Sequence, residues 1–135
     1  MTLVDTNVLL DIATSDANWR EWSLEQLETA SLAGPLIVNS VVYAELAARY
    51  DNRDELDNFI GRLGMEFHEV PLDGLFLAGK VFQQYRRRGG TRTGVLSDFF
   101  IGAHAAVAGL PLLTRDRSRY ATYFPDVQLI APEQS

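Results

Sequence analysis

The sequence predicts an α/β fold, a small and mainly parallel sheet of about five strands flanked by helices. Three observations carry this expectation. Short apolar, β-rich runs alternate with helix-length amphipathic segments along the whole chain. The first run, Thr2 to Val4, stops at a carboxylate, Asp5, and passes at once into a helical pattern. Later runs repeat that layout of buried strand, capping residue and helix, as strands covered on both faces do.

The elements follow in order. Thr2 to Val4 reads as a central strand, and Thr6 and Asn7 as caps for a helix through Val8, Leu9, Leu10 and Ile12. Asp5 can end the strand and cap that helix, or it can serve a site, because open parallel sheets bind ligands at the carboxyl ends of their strands. After a polar break at 13–18, Trp19 to Leu32 reads as a helix stopped by Gly34-Pro35. Trp19 and Trp22 share a face that either packs on the core or forms an aromatic patch. Leu36 to Val38 is a second strand, with cap residues Asn39 and Ser40 and a helix from Val41 to about Tyr50.

Glu45 falls beside the apolar stripe of that helix. A carboxylate leaning towards a core needs a partner or a metal. Arg49, at the i, i+4 position, is the local candidate. Asp51-Asn52 caps a helix with Leu56, Phe59, Ile60 and Leu63 on one face, and Met65 to Pro71 is a third strand. His68 within it lacks the acidic neighbours of a metal ligand. Asp73 is the expected cap of the next helix, which ends at Arg86-Arg87-Arg88 and Gly89-Gly90. Those arginines, with Arg92, are the one basic concentration. They suit the helix C-terminal dipole, or a phosphate backbone held by a mobile loop.

Thr91 to Leu96 reads as loop, and Ser97 as the cap of a helix from Asp98 to about Ala108. Asp98 would then meet the positive end of its helix. His104 sits among alanines as a structural residue. Leu112 to Thr114 is the fourth strand, and Asp116 follows in a charged loop with Arg115, Arg117 and Arg119. Val127 to Ile130 is the fifth, before a polar tail.

Composition bounds the function. The chain of 135 residues is one domain, 47% hydrophobic and 22% charged, as a soluble globular protein is. Without cysteine it has neither a disulfide framework nor a thiolate metal site. Met1 runs directly into the first strand, which leaves no room for a signal peptide and suits a cytoplasmic location. The longest apolar stretch, Phe99 to Leu113, holds His104 and Pro111 and is too short for a bilayer. A net charge of −6 is not the usual mark of a nucleic-acid binder, so any such role needs a local basic patch.

Four acids now read together. Asp5 and Asp116 each follow a strand, at one edge if the strands are parallel. Asp98 opens a helix, and Glu45 lies about a turn inside another. Clustered hard oxygen ligands bind Mg²⁺ or Mn²⁺, and such metals activate water and clamp phosphoryl oxygens.

The segments LVDTNVLLD at 3–11, SVVYAEL at 40–46 and LSDFFIGAHAAVAGLPLLTRD at 96–116 carry a resemblance over essentially the whole chain. It resembles the PIN-domain ribonucleases, and more closely the VapC-type toxins of prokaryotic toxin–antitoxin pairs. The resemblance implies a PIN-like fold and a metal-dependent endoribonuclease, the toxin of a type II pair. It implies Mg²⁺ or Mn²⁺ held by Asp5, Asp98, Asp116 and Glu45, the four catalytic acids, with Asn7 and Thr114 in support. It further implies an RNA substrate, a cognate antitoxin that blocks the site, and frequent homodimers. A water activated there would attack an RNA phosphodiester in line, leaving 5′-phosphate and 3′-hydroxyl ends. Arg86, Arg87, Arg88, Arg92, Arg115 and Arg117 are the candidates for the RNA backbone.

Two other readings compete. Phosphoryl-receiver and aspartyl-phosphatase domains also place an Asp after the first strand. Both need a Lys after a late strand, and the single Lys, Lys80, falls inside a helix. The alternative that survives is a non-catalytic RNA- or antitoxin-binding module with a silent site.

Overall fold

The computed structural model describes residues 1–133. The last two positions of the expected polar tail lie outside them. The elements in chain order are β1 (Thr2–Val4), α1 (Thr6–Ala13), α2 (Arg20–Ala33), β2 (Leu36–Asn39), α3 (Ser40–Ala47), α4 (Arg53–Arg62), β3 (Met65–His68), α5 (Leu72–Arg87), α6 (Val95–Ala108), β4 (Leu112–Leu113), α7 (Arg117–Tyr123) and β5 (Leu129–Ile130). The five strands form one sheet in the order β3-β2-β1-β4-β5, and every pairing is parallel. Among the described residues no helix is long and apolar enough to cross a membrane.

The centre of the sheet is apolar because helices cover both faces. Leu3 and Val4 of β1, Ile37 and Val38 of β2, and Leu112 and Leu113 of β4 have no exposed surface. Each such side chain stabilises the fold by about 1.5–3 kcal/mol relative to exposure. The register sets Leu3 beside Ile37 on one side and Leu112 on the other. The chain runs outwards from β1 in both directions, so the crevice between β1 and β4 is the switch point of the sheet.

Helix packing closes around this crevice. α5 runs along α6, and α6 also meets α3 and α7. Gly102 lets α6 close on the end of α7: a Cβ there would stand 2.4 Å from the Phe124 ring. Phe99, Tyr123, Tyr85 and Phe82 form an aromatic run between α5, α6 and α7, with centroid separations of 4.9 Å for Phe99–Tyr123 and 5.8 Å for Tyr85–Phe99. Trp19 and Trp22 meet edge to face at 5.7 Å, and Trp22 packs on the core.

Several element boundaries differ from expectation, each for a local reason. Of the capping candidates Asp5, Thr6 and Asn7, it is Asp5 that caps α1, its carboxylate accepting from the Thr6 backbone N–H. Asp73 does not cap α5, which starts one residue earlier at Leu72, after Pro71. α6 begins at Val95, so Ser97 and Asp98 lie inside its first turn and Ser97 is no cap. The expected loop after Asp116 is the short helix α7, capped by Asp116 itself. Glu45 forms no ion pair with Arg49 among the described residues; it pairs with Thr6 instead.

Candidate active site

Asp5 is 4% exposed at the carboxyl end of β1. Three donors hold it: the Thr6 N–H at 2.8 Å, the Thr114 hydroxyl at 2.7 Å and the Tyr120 hydroxyl at 3.1 Å. Burial pushes its carboxyl up from 3.8 to about 6. The Asp98 charge adds to the rise, and the hydrogen bonds oppose it.

Thr114 is the joint between strands. Besides donating to Asp5, its oxygen accepts from the Asp116 N–H at 3.0 Å and faces the Asn7 amide at 3.5 Å. Asn7 in turn accepts from the Arg115 N–H at 3.3 Å. The turn after β4 is therefore tied to the start of α1, which sets Asp116 near Asp5.

Asp98 projects from the first turn of α6. Burial raises its pKa; Arg119 opposes that, and the charges of Glu45 and Asp116 add to it. The Tyr120 hydroxyl lies 3.5 Å from Asp98 as well as 3.1 Å from Asp5, so one phenol links two acids. Burial, then the charges of Asp5 and Asp98, raise the phenol's own pKa well above its ordinary value, which keeps it a donor. Glu45, one turn inside α3, accepts from the Thr6 hydroxyl at 2.7 Å. All four acids named from the sequence thus border one edge of the sheet.

Arg119 holds two of them. Its Nη1 is 2.6 Å from Asp98 Oδ2 and its Nε is 3.3 Å from Asp116 Oδ2. Burial works against its charge, but Asp98 and Asp116 more than compensate.

The remaining arginines divide. Arg115 turns away to the buried Asp11: Nη2 donates to Oδ1 at 2.9 Å, and Nε lies 2.8 Å from Oδ2 without hydrogen-bond alignment. Its guanidinium also covers the Trp19 ring at 5.0 Å. Arg117 donates to the Ala131 and Pro132 carbonyls. Arg86 caps the end of α5 through the Gly90 carbonyl at 3.5 Å, over the Phe82 ring. Arg87 and Arg88 are exposed beyond it. Arg92 stands apart, because its N–H donates to the Tyr85 hydroxyl at 2.8 Å. That bond holds the 89–94 loop against the site, and Arg92 lines a cavity of about 370 Å³ with Asp98 and Arg119. Gly90 is required beneath it, since a Cβ would fall 2.4 Å from the Tyr85 ring.

The PIN domain family model matches residues 2–125, which span all four acids and four of the five strands. The chain belongs to the PIN-domain family. By shape this PIN domain is similar to VapBC2 from Rickettsia felis bound to a DNA fragment from their promoter, with a TM-score of 0.74, 15% identity and 98% of each chain covered. It is similar to VapBC-1 from nontypeable Haemophilus influenzae, with a TM-score of 0.70, 16% identity and 96% of each chain covered. It is also similar to FitAcB from Neisseria gonorrhoeae, with a TM-score of 0.67, 20% identity and full coverage of both chains. At these identities the likeness is one of fold. No curated protein matches by sequence.

Two residues of this PIN domain's site escaped the sequence reading, Tyr120 and Arg119. Both come from α7, a stretch whose sequence reads as a charged loop. The available signal was the cap: Asp116 accepts from the Arg119 N–H three residues on, and Tyr120 and Phe124 are apolar at helical spacing. The donor set suits a hard divalent cation, being all oxygen. Burial, with like charge from the neighbouring acids as a smaller contribution, raises Asp5 and Asp98. Among the described residues, no three of these side chains already stand as a metal cage. The guanidinium of Arg119 supplies positive charge between Asp98 and Asp116.

Proposed function

We propose that this PIN domain is a Mg²⁺- or Mn²⁺-dependent endoribonuclease, the toxin of a type II toxin–antitoxin pair acting in the cytoplasm. The observation that carries the proposal is the convergence of Asp5, Asp98, Asp116 and Glu45 at the switch point of the sheet. Asp5 and Asp98 would hold the metal, with Asp116 and Glu45 completing its shell. The metal, when bound, would supply Lewis acidity towards the phosphoryl group and activate a water. Thr114 and Tyr120 orient the Asp5 carboxylate, Thr6 orients Glu45, and Asn7 fixes the turn that carries Asp116. Arg92 offers its charge to the RNA backbone across the adjoining cavity, with Arg86, Arg87 and Arg88 further out.

Partners follow from the same reading. A further similar structure is a toxin–antitoxin complex from Klebsiella pneumoniae, which supports a protein antitoxin for this chain. Leu72 and Phe76 on α5 are 81% and 69% exposed, an apolar surface that suits an antitoxin or a second copy in a homodimer. The second reading, a non-catalytic RNA- or antitoxin-binding module, draws on the Arg119 bridge that already neutralises two acids. One assay separates them. Purified protein should cleave RNA with Mg²⁺ or Mn²⁺, and stop in excess chelator or as Asp98→Asn with its fold retained. Cleavage undiminished by chelator would overturn the metal mechanism, and no cleavage under any divalent ion would favour the silent module.

A further inference from the structure

We propose that Arg119 is a built-in counter-ion that holds the metal's place between Asp98 and Asp116, and that swings outward to a substrate phosphate once the metal is bound. The inference rests on the metal-dependent reading above. Three observations carry it.

The first is contact. Arg119 bridges carboxylates from two elements, Asp98 of α6 at 2.6 Å and Asp116 before α7 at 3.3 Å. Arg115 and Arg117, its neighbours in sequence, face other partners. The second is place. Asp98 and Asp116 are two of the acids a divalent cation would use. A guanidinium on both cannot share their oxygens with that cation at no cost, because like charges at contact distance repel. The third is an exit. The Arg119 side chain is 31% exposed and lines the cavity formed with Arg92, Thr93, Gly94, Val95 and Asp98. Arg92, the only other charged side chain of that wall beside Asp98, is a cation, so a phosphate there would find two guanidinium groups. Arginine binds phosphate oxygens through paired N–H donors, as it binds carboxylates. The displaced side chain therefore keeps an anionic partner of the same geometry.

The two halves have separate readouts. Mn²⁺ binding is measured by calorimetry on the full-length apo protein, and RNA cleavage kinetics are measured at saturating Mn²⁺. Arg119→Gln removes the competing charge, so its Mn²⁺ affinity should rise roughly tenfold, the scale of one partly exposed charge contact. Its KM for RNA should rise roughly three- to tenfold for the lost phosphate contact. Arg119→Lys keeps the charge and should stay near wild type in Mn²⁺ affinity, while recovering only part of KM. Circular dichroism confirms that each variant is folded. If wild type binds Mn²⁺ and Arg119→Gln binds it no more tightly, the counter-ion role is overturned and the metal-dependent reading stands. Tighter Mn²⁺ binding with an unaltered KM overturns the outward swing. If no form binds Mn²⁺ and none cleaves RNA, the metal-dependent reading falls and this inference falls with it.

Discussion

The Thr114 hydroxyl donates to Asp5 Oδ2 at 2.7 Å across 109 positions of sequence. It joins the ends of two adjacent strands and also accepts the Asp116 N–H. Thr114→Val keeps the shape and removes both bonds. The loss should cost about 1–3 kcal/mol, because buried polar groups are left unpaired. It should also drive the Asp5 pKa higher, since this bond is the strongest influence holding it down. Thr114→Ser should recover most of the stability. Equal melting of the Val and Ser variants would show that the hydroxyl carries no structural weight.

Asp5 makes the metal-free protein sensitive to pH. Its folded pKa of about 6 lies above the ordinary 3.8, so the folded state binds more protons than the unfolded chain between those values. The stability linked to Asp5 is therefore fully present below about pH 4 and lost as pH rises through 6. A shift of this size corresponds to roughly 3 kcal/mol, of which about half is lost between pH 5 and 7.5. Asp98, also raised, acts in the same direction. Apo protein should thus melt about 5 °C higher at pH 5 than at pH 7.5. Asp5→Asn should flatten that difference, and Mn²⁺ should raise the melting temperature more at pH 7.5 than at pH 5. A wild-type profile as flat as that of the variant would refute the link.

The basic residues separate by distance from the acids. Arg92 shares a cavity wall with Asp98, whereas Arg86 to Arg88 end α5 outside it. Arg92→Ala should lower RNA affinity and reduce the salt slope of binding by about one unit. The triple Ala variant of Arg86, Arg87 and Arg88 should change cleavage less than Arg92→Ala alone. The reverse ranking would move the RNA path to the end of α5.

Gly102→Ala probes the seat of α7. The added methyl would meet the Phe124 ring at 2.4 Å, so the end of α7 must shift. Overpacking of this kind costs typically about 1–3 kcal/mol. Because Arg119 and Tyr120 ride on α7, RNA cleavage should fall by more than the melting temperature alone implies. Wild-type activity in a protein that melts several degrees lower would show that α7 tolerates displacement.

Much of this molecule could be read from its residues. The apolar runs at Leu3, Ile37 and Leu112 carried the parallel sheet because strands buried on both faces need no polar alternation. Asp5 and Asp116 stood out because each follows such a run, and Asp98 and Glu45 because each sits near the start of a helix. α7 was legible only through its Asp116 cap, since Arg117 to Tyr123 holds four polar residues, two tyrosines and one alanine in seven positions, a pattern local propensity leaves open. Its helical state comes from tertiary packing of Tyr120 and Phe124, which a window of sequence does not contain. The same helix decides which arginine enters the site: Arg115 lies before it and turns to Asp11, while within α7 the turn sends Arg117 to the 131–132 carbonyls and Arg119 to Asp98.

The position of β1 bears on the order in which the acidic edge can form. β1 is made well before its sheet neighbour β4, which follows more than a hundred residues later. Asp5 must wait for Thr114 and Tyr120 to acquire its hydrogen bonds, and Asp98 for Arg119. Long-range closure of this kind is slow relative to local helix formation. A nascent chain would therefore carry its acids scattered and unoriented until α7 has been made.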